Sequence, residues 1–238
     1  MGIWIAATLI STIIKGICGM GDAPVFSSIL VFANANVDIT PVSLLLSLPT
    51  NTFLAWRERS GLKKSIWLPM SIMLVAGSIA GTVILKNTDV RVLKNYFGVF
   101  IMLIGAYMLM NELRPGKRKP SRFMTTAIGI LSGVGSGLFG IGALLGAYMN
   151  QVAKDSHEFR ANICMIFAVE NFSRLISGLV FGIITPVVFR RTLMLYPVMG
   201  LGLFIGIRCR RYLSERKTKV LMMTMLILSG AALLITNH

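Results

Sequence analysis

Four ionisable side chains fall inside the apolar runs of this chain: Lys15, Asp22, Glu170 and Arg174. A charge in hydrocarbon is costly, so each is a functional candidate by default. Glu170 and Arg174 stand four apart on one helical stretch. They either neutralise each other or divide the work, with Arg174 holding an anionic substrate and Glu170 tuning it or carrying a coupling proton. Lys15 either snorkels to the interface or sets a positive charge beside the substrate. Asp22 precedes Ala23-Pro24, a pattern that suits a helix N-cap; coupling is the alternative. Two amides, Asn51 and Asn171, occupy matching places in the two halves of the chain and either line a cavity or join helix to helix.

These groups must be positioned by helices that stop and start again. Lys15 and Asp22 bracket the stretch Gly16-Ile-Cys-Gly19-Met-Gly21, which returns 121 residues later as Gly137-Leu-Phe-Gly140-Ile-Gly142. Three glycines in six positions argue for a broken helix. Within a membrane such a break persists only where protein or a watery cavity satisfies the freed backbone groups. A helix N-terminus there presents unpaired N–H groups and a partial positive charge, which attract anions. Two broken segments at matching positions of two half-chains point to a transporter's binding site. The expected substrate-binding set is therefore Lys15, Gly16, Gly19, Gly21, Asn51, Gly137, Gly140, Gly142, Asn171 and Arg174. Asp22 and Glu170 are the expected coupling or gating groups.

Composition agrees. Hydrophobic residues make up 55% of the 238 residues and charged ones 14%, against about 25% charge in a soluble domain. Mean hydropathy is +0.74. At roughly 20 apolar residues per spanning helix there is room for about eight to ten segments. The runs lie at 3–20, 23–35, 41–56, 66–85, 96–110, 123–138, 140–152, 162–184, 192–207 and 220–236. Residues 1–14 read as the first helix rather than a removed signal peptide.

The formal net charge of +15 does not point to nucleic acid, because the basic residues cluster in short loops between apolar runs. If each run crosses once with the 57–64 loop inside, 17 of the 24 Lys and Arg residues fall in cytoplasmic loops and 5 outside. The halves also match at Gly77 and Gly202, Gly81 and Gly206, Arg91 and Arg216, and Lys94 and Lys219. The glycine pairs at four-residue spacing read as helix-packing positions.

The expected architecture is an all-α polytopic membrane protein of two pseudo-symmetric, inverted repeats with glycine-broken helices. Residues 1–112 form the first half-repeat, 113–122 a basic cytoplasmic linker and 123–238 the second half-repeat. Whether the runs flanking each break span or re-enter stays open.

On these glycine motifs, the polar third helix (Ser43 to Thr52) and the basic loop Arg57-Glu-Arg-Ser-Gly61, the chain resembles the TauE/SafE family of sulfite exporters, also called TSUP transporters. The resemblance departs at Asp22, where members usually carry a small residue, and in the second stretch, which lacks a third consecutive glycine. It implies a multi-pass carrier of the bacterial inner membrane for sulfite, thiosulfate or other sulfur-containing anions.

A secondary carrier needs no cofactor and no catalytic residue. The expected partners are a small anion, with a proton or sodium ion, and the lipid bilayer; an oligomer is compatible. The competing class, a membrane enzyme or electron-transfer subunit, would have to rely on Cys18, Asp22 or Glu170. A non-transporting scaffold has little loop surface to work with. The three cysteines show no metal-ligand spacing.

Overall fold

The structure is a computed structural model that describes residues 1–32, 38–87 and 143–212, with the single positions 130, 132 and 224. Among these residues it is helical throughout, with no strand. The helices are α1 (Gly2–Cys18), α2 (Asp22–Phe32), α3 (Ile39–Arg57), α4 (Lys64–Asn87), α5 (Ala143–Val152), α6 (Ser156–Val180) and α7 (Pro186–Arg210). A 3-10 turn, Arg59–Gly61, joins α3 to α4.

The first glycine stretch does interrupt the chain. α1 stops where Gly19 takes the left-handed conformation at φ 83° and returns its N–H to Lys15 O at 2.7 Å. Gly21, at φ 91°, turns the chain again into α2. Residues with a Cβ rarely adopt either conformation, so the break is written into these two glycines. Gly16 lies before it, inside α1.

α1 packs along α7, and α3 packs along α6. The first contact is a seam of small residues. A Cβ on Gly16 would stand 2.8 Å from Gly206 Cα, and Cβ atoms on Gly202 and Gly206 would strike Thr12 and the Ile13 carbonyl. Absent side chains let the two backbones touch. Three buried threonine hydroxyls are satisfied within their own helices: Thr8 donates to Trp4 O, Thr12 to Thr8 O and Thr192 to Val188 O, at 2.7, 2.7 and 2.9 Å. This is how polar residues survive on a buried helix face.

Two helices are extended at their N-termini relative to the apolar runs. α6 begins at Ser156 rather than at residue 162, because Asp155 caps it by accepting the Glu158 N–H at 2.7 Å. α7 begins at Pro186 rather than at residue 192, with Thr185 as its cap. Arg160, Arg190 and Arg191, expected in loops, are consequently helical.

α6 and α7 are 25 residues each and apolar enough to cross a membrane, yet only 39% and 28% of their most apolar windows are buried against protein. Large hydrophobic side chains such as Phe172, Leu179, Val187, Phe189, Leu201 and Phe204 face outward along them. A soluble fold would bury such faces; a lipid solvent does not require it.

Each end of the bundle carries ion pairs. At one end Arg191 pairs with Asp38 at 2.9 Å, its guanidinium 4.7 Å from the ring centre of Trp4. At the other, Glu58 accepts from Arg210 at 2.9 Å and from His157. Segments 57–64, 154–160 and 208–211, all expected on the cytoplasmic side, thus share one end.

Candidate functional site

The interrupted α1–α2 segment organises the site. Lys15 sits in the last turn of α1 and Asp22 in the first turn of α2. A helix C-terminus favours a cation and an N-terminus an anion, so each charge suits the backbone that carries it. Across the break, Lys15 Nζ lies 2.7 Å from Asp22 Oδ1, and Ser47 of α3 donates to Asp22 Oδ2. Lys15 is 1% exposed, so it does not snorkel to an interface. Asp22 neutralises it in place, and both carboxylate oxygens are engaged by side chains from other helices.

α6 supplies the opposite wall. Cys164 Sγ donates to Gly19 O at 3.2 Å, and Arg160 Nη1 to Ile17 O at 3.0 Å, so carbonyls freed where α1 stops find donors. The Arg160 stem lies against Gly19: a Cβ there would come within 2.8 Å of Arg160 Cγ. The Arg160 guanidinium then reaches Glu58 at 3.4 Å. Among the described residues, Lys15 and Arg160 beside the break and Arg210 at the adjoining end of the bundle pair with two carboxylates, Asp22 and Glu58. That leaves an excess of one cation in this set.

Beneath this cluster, Lys63 pairs with Glu158 at 2.7 Å, and Asn162 binds both Lys63 N and Gly61 O. The turn after α3 is thereby fastened to α6. Outside the membrane-spanning helices, the Glu158 N–H holds the Asp155 carboxyl below its usual range.

The remaining candidates lie elsewhere. Glu170 and Arg174 form their i, i+4 pair at 3.7 Å, and Ser78 of α4 donates to Glu170 at 3.4 Å. Arg174 is ten residues beyond Cys164, roughly 15 Å along α6 at the helical rise per residue. Asn51 is 1% exposed with no hydrogen-bond partner for Oδ1, and Asn171 is buried on α6. Gly16 faces Gly206 rather than the Lys15–Asp22 pair. Gly137, Gly140 and Gly142 lie outside the described residues.

Sequence reading missed Arg160 and Glu58, which it placed in loops. The signal for Arg160 was Asp155-x-x-Glu158, a helix-start pattern that puts residue 160 more than a turn inside α6. An apolar groove of about 830 Å³ between α3, α6 and α7, lined by Leu45, Pro49, Phe53, Leu179, Phe189 and Tyr196 among others, carries no charged side chain. It suits hydrocarbon and not an oxyanion.

Outward-facing apolar helices around a break lined with buried charge describe a helical membrane protein. The family model described as sulfite exporter TauE/SafE matches residues 3–233, nearly the whole chain, and the protein belongs to that family. No curated protein and no solved structure matches it.

Proposed function

We propose that this chain is a multi-pass carrier of the bacterial inner membrane that moves a small oxyanion (sulfite, thiosulfate or an organosulfonate) by alternating access. No covalent chemistry is involved. The observation that carries this reading is the broken α1–α2 segment, beside which Lys15, Arg160 and Arg210 outnumber Asp22 and Glu58 among the described residues. A site that excludes bulk water strengthens the attraction of such a surplus for an anion. Family membership supports the substrate class.

The same proposal includes two inverted half-repeats, 1–112 and 123–238, joined by the basic linker. Gly137, Gly140 and Gly142 are the counterpart of the first break, and Asn51, Asn171 and Arg174 extend the polar lining. Asp22, partly buried beside Lys15, and Glu170, 1% exposed on α6, are the candidates for proton or sodium coupling.

The test is flux in vesicles reconstituted with the purified chain, using sulfite, thiosulfate and methanesulfonate under imposed proton, sodium and anion gradients. Accelerated movement of at least one of these anions over protein-free vesicles is expected. Absence of flux for every anion under every gradient and in both directions overturns the proposal.

A further inference from the structure

We infer that Arg160 is a substrate-binding residue, and that the Nε and Nη2 edge of its guanidinium takes two oxygens of the transported oxyanion. The inference deepens the carrier reading and rests on it. Arg160 is 1% exposed, as deeply buried as Lys15. An arginine presents five N–H donors in a fixed plane and cannot shed its charge. Here Nη1 is used by Ile17 O, whereas Nε and Nη2 are buried without a hydrogen-bond acceptor. Glu58 does not fill that role. It stands 3.4 Å from Nη2 as an ion pair and is already taken up by Arg210 at 2.9 Å and by His157.

Buried donors on a charged group call for an acceptor. The Nε and Nη2 hydrogens point in parallel, and that edge matches two oxygens borne by one central atom. Sulfite, sulfonate and carboxylate groups offer such a pair; chloride does not. The edge is also held in place. The stem is wedged against Gly19 at the left-handed turn, and Nη1 is anchored to the end of α1. A ligand bound there would touch α6 directly and the break through the same side chain. Lys15, by contrast, already has its carboxylate at 2.7 Å.

The test compares ligand protection against thermal unfolding in the purified full chain and its variants, titrated with sulfite, thiosulfate, methanesulfonate and chloride. The intact protein is expected to be protected by the oxyanions and not by chloride. Arg160→Lys keeps the charge and a donor for Ile17 O but loses the paired edge, and is expected to weaken oxyanion affinity at least about tenfold. Arg160→Gln is expected to abolish it. Should the glutamine variant fail to fold, the lysine variant carries the test alone. Arg160→Lys binding the oxyanions within twofold of the intact protein overturns the inference while leaving the carrier reading intact. That result would mean water or structure alone satisfies the guanidinium. No binding or flux for the intact protein sinks both together.

Discussion

Lys15 Nζ and Asp22 Oδ1 meet at 2.7 Å across the interruption between two helices, joining the end of α1 to the start of α2. The pair holds the break in shape, and losing either member leaves the other charge beneath the protein surface without its partner.

Lys15→Met is therefore expected to lower unfolding stability by about 3 kcal/mol, the range for stripping one partner from a buried pair. Asp22→Leu should cost a similar amount. The double variant should recover much of the loss, because no lone charge remains. Thermal unfolding in detergent across this double-mutant cycle measures the coupling; strictly additive losses would contradict the pairing.

The glycine seam makes a second, steric prediction. Gly206→Ala drives a methyl into the Ile13 carbonyl and the Gly16 backbone, at a cost of about 1–3 kcal/mol. Gly200→Ala, on the same helix with nothing within 4 Å, should be neutral or stabilising by up to about 1 kcal/mol through helix propensity. Unfolding midpoints of the two variants, measured side by side, give the contrast.

Burial sets the third. Glu58 is 6% exposed and receives Arg160, Arg210 and His157 together. Glu58→Ala should cost about 3 kcal/mol, since Arg160 is left buried without a counter-charge. Asp38 and Arg191, 34% and 29% exposed in their side chains, pair nearer water. Asp38→Ala should cost about 1 kcal/mol or less. Equal losses in the two variants would show that the Glu58 cluster is solvated.

The fourth concerns pH. The Asp155 carboxyl, chiefly through the Glu158 N–H, is held below its ordinary value of 3.8. A depressed carboxylate contributes stability in full above that ordinary value and loses it as pH falls through the lower folded one. Asp155→Ala should cost about 1 kcal/mol at neutral pH, as lost helix caps do. Asp155→Asn should keep most of the cap and remove its share of the acid dependence. Unfolding midpoints between pH 7 and pH 3 report both.

Much of this was legible in the chain because it follows from local rules. Gly19 and Gly21 broke the helix since only glycine suits their φ values. Gly202 and Gly206 packed as their spacing suggested, and Glu170 and Arg174 met as neighbours one turn apart do. What stayed hidden depends on where separate segments meet. Lys15 and Asp22 are seven residues apart, a spacing that joins nothing on an unbroken helix, so their contact exists only once the break has formed. Arg160 was hidden for another reason. Its polar neighbours Lys154, Asp155, His157 and Glu158 look like a loop until Asp155 is recognised as the cap that starts α6.

The seam between α1 and α7 has a mechanical consequence. Where backbone rests on backbone there are no rotamers to yield, so neither rod can slide or roll against the other without collision. The two helices form one tightly packed unit along Thr12, Gly16, Gly202 and Gly206. On the carrier reading, any rearrangement at the interruption at Gly19 falls to its other flank, where α3 packs against α2 and α6.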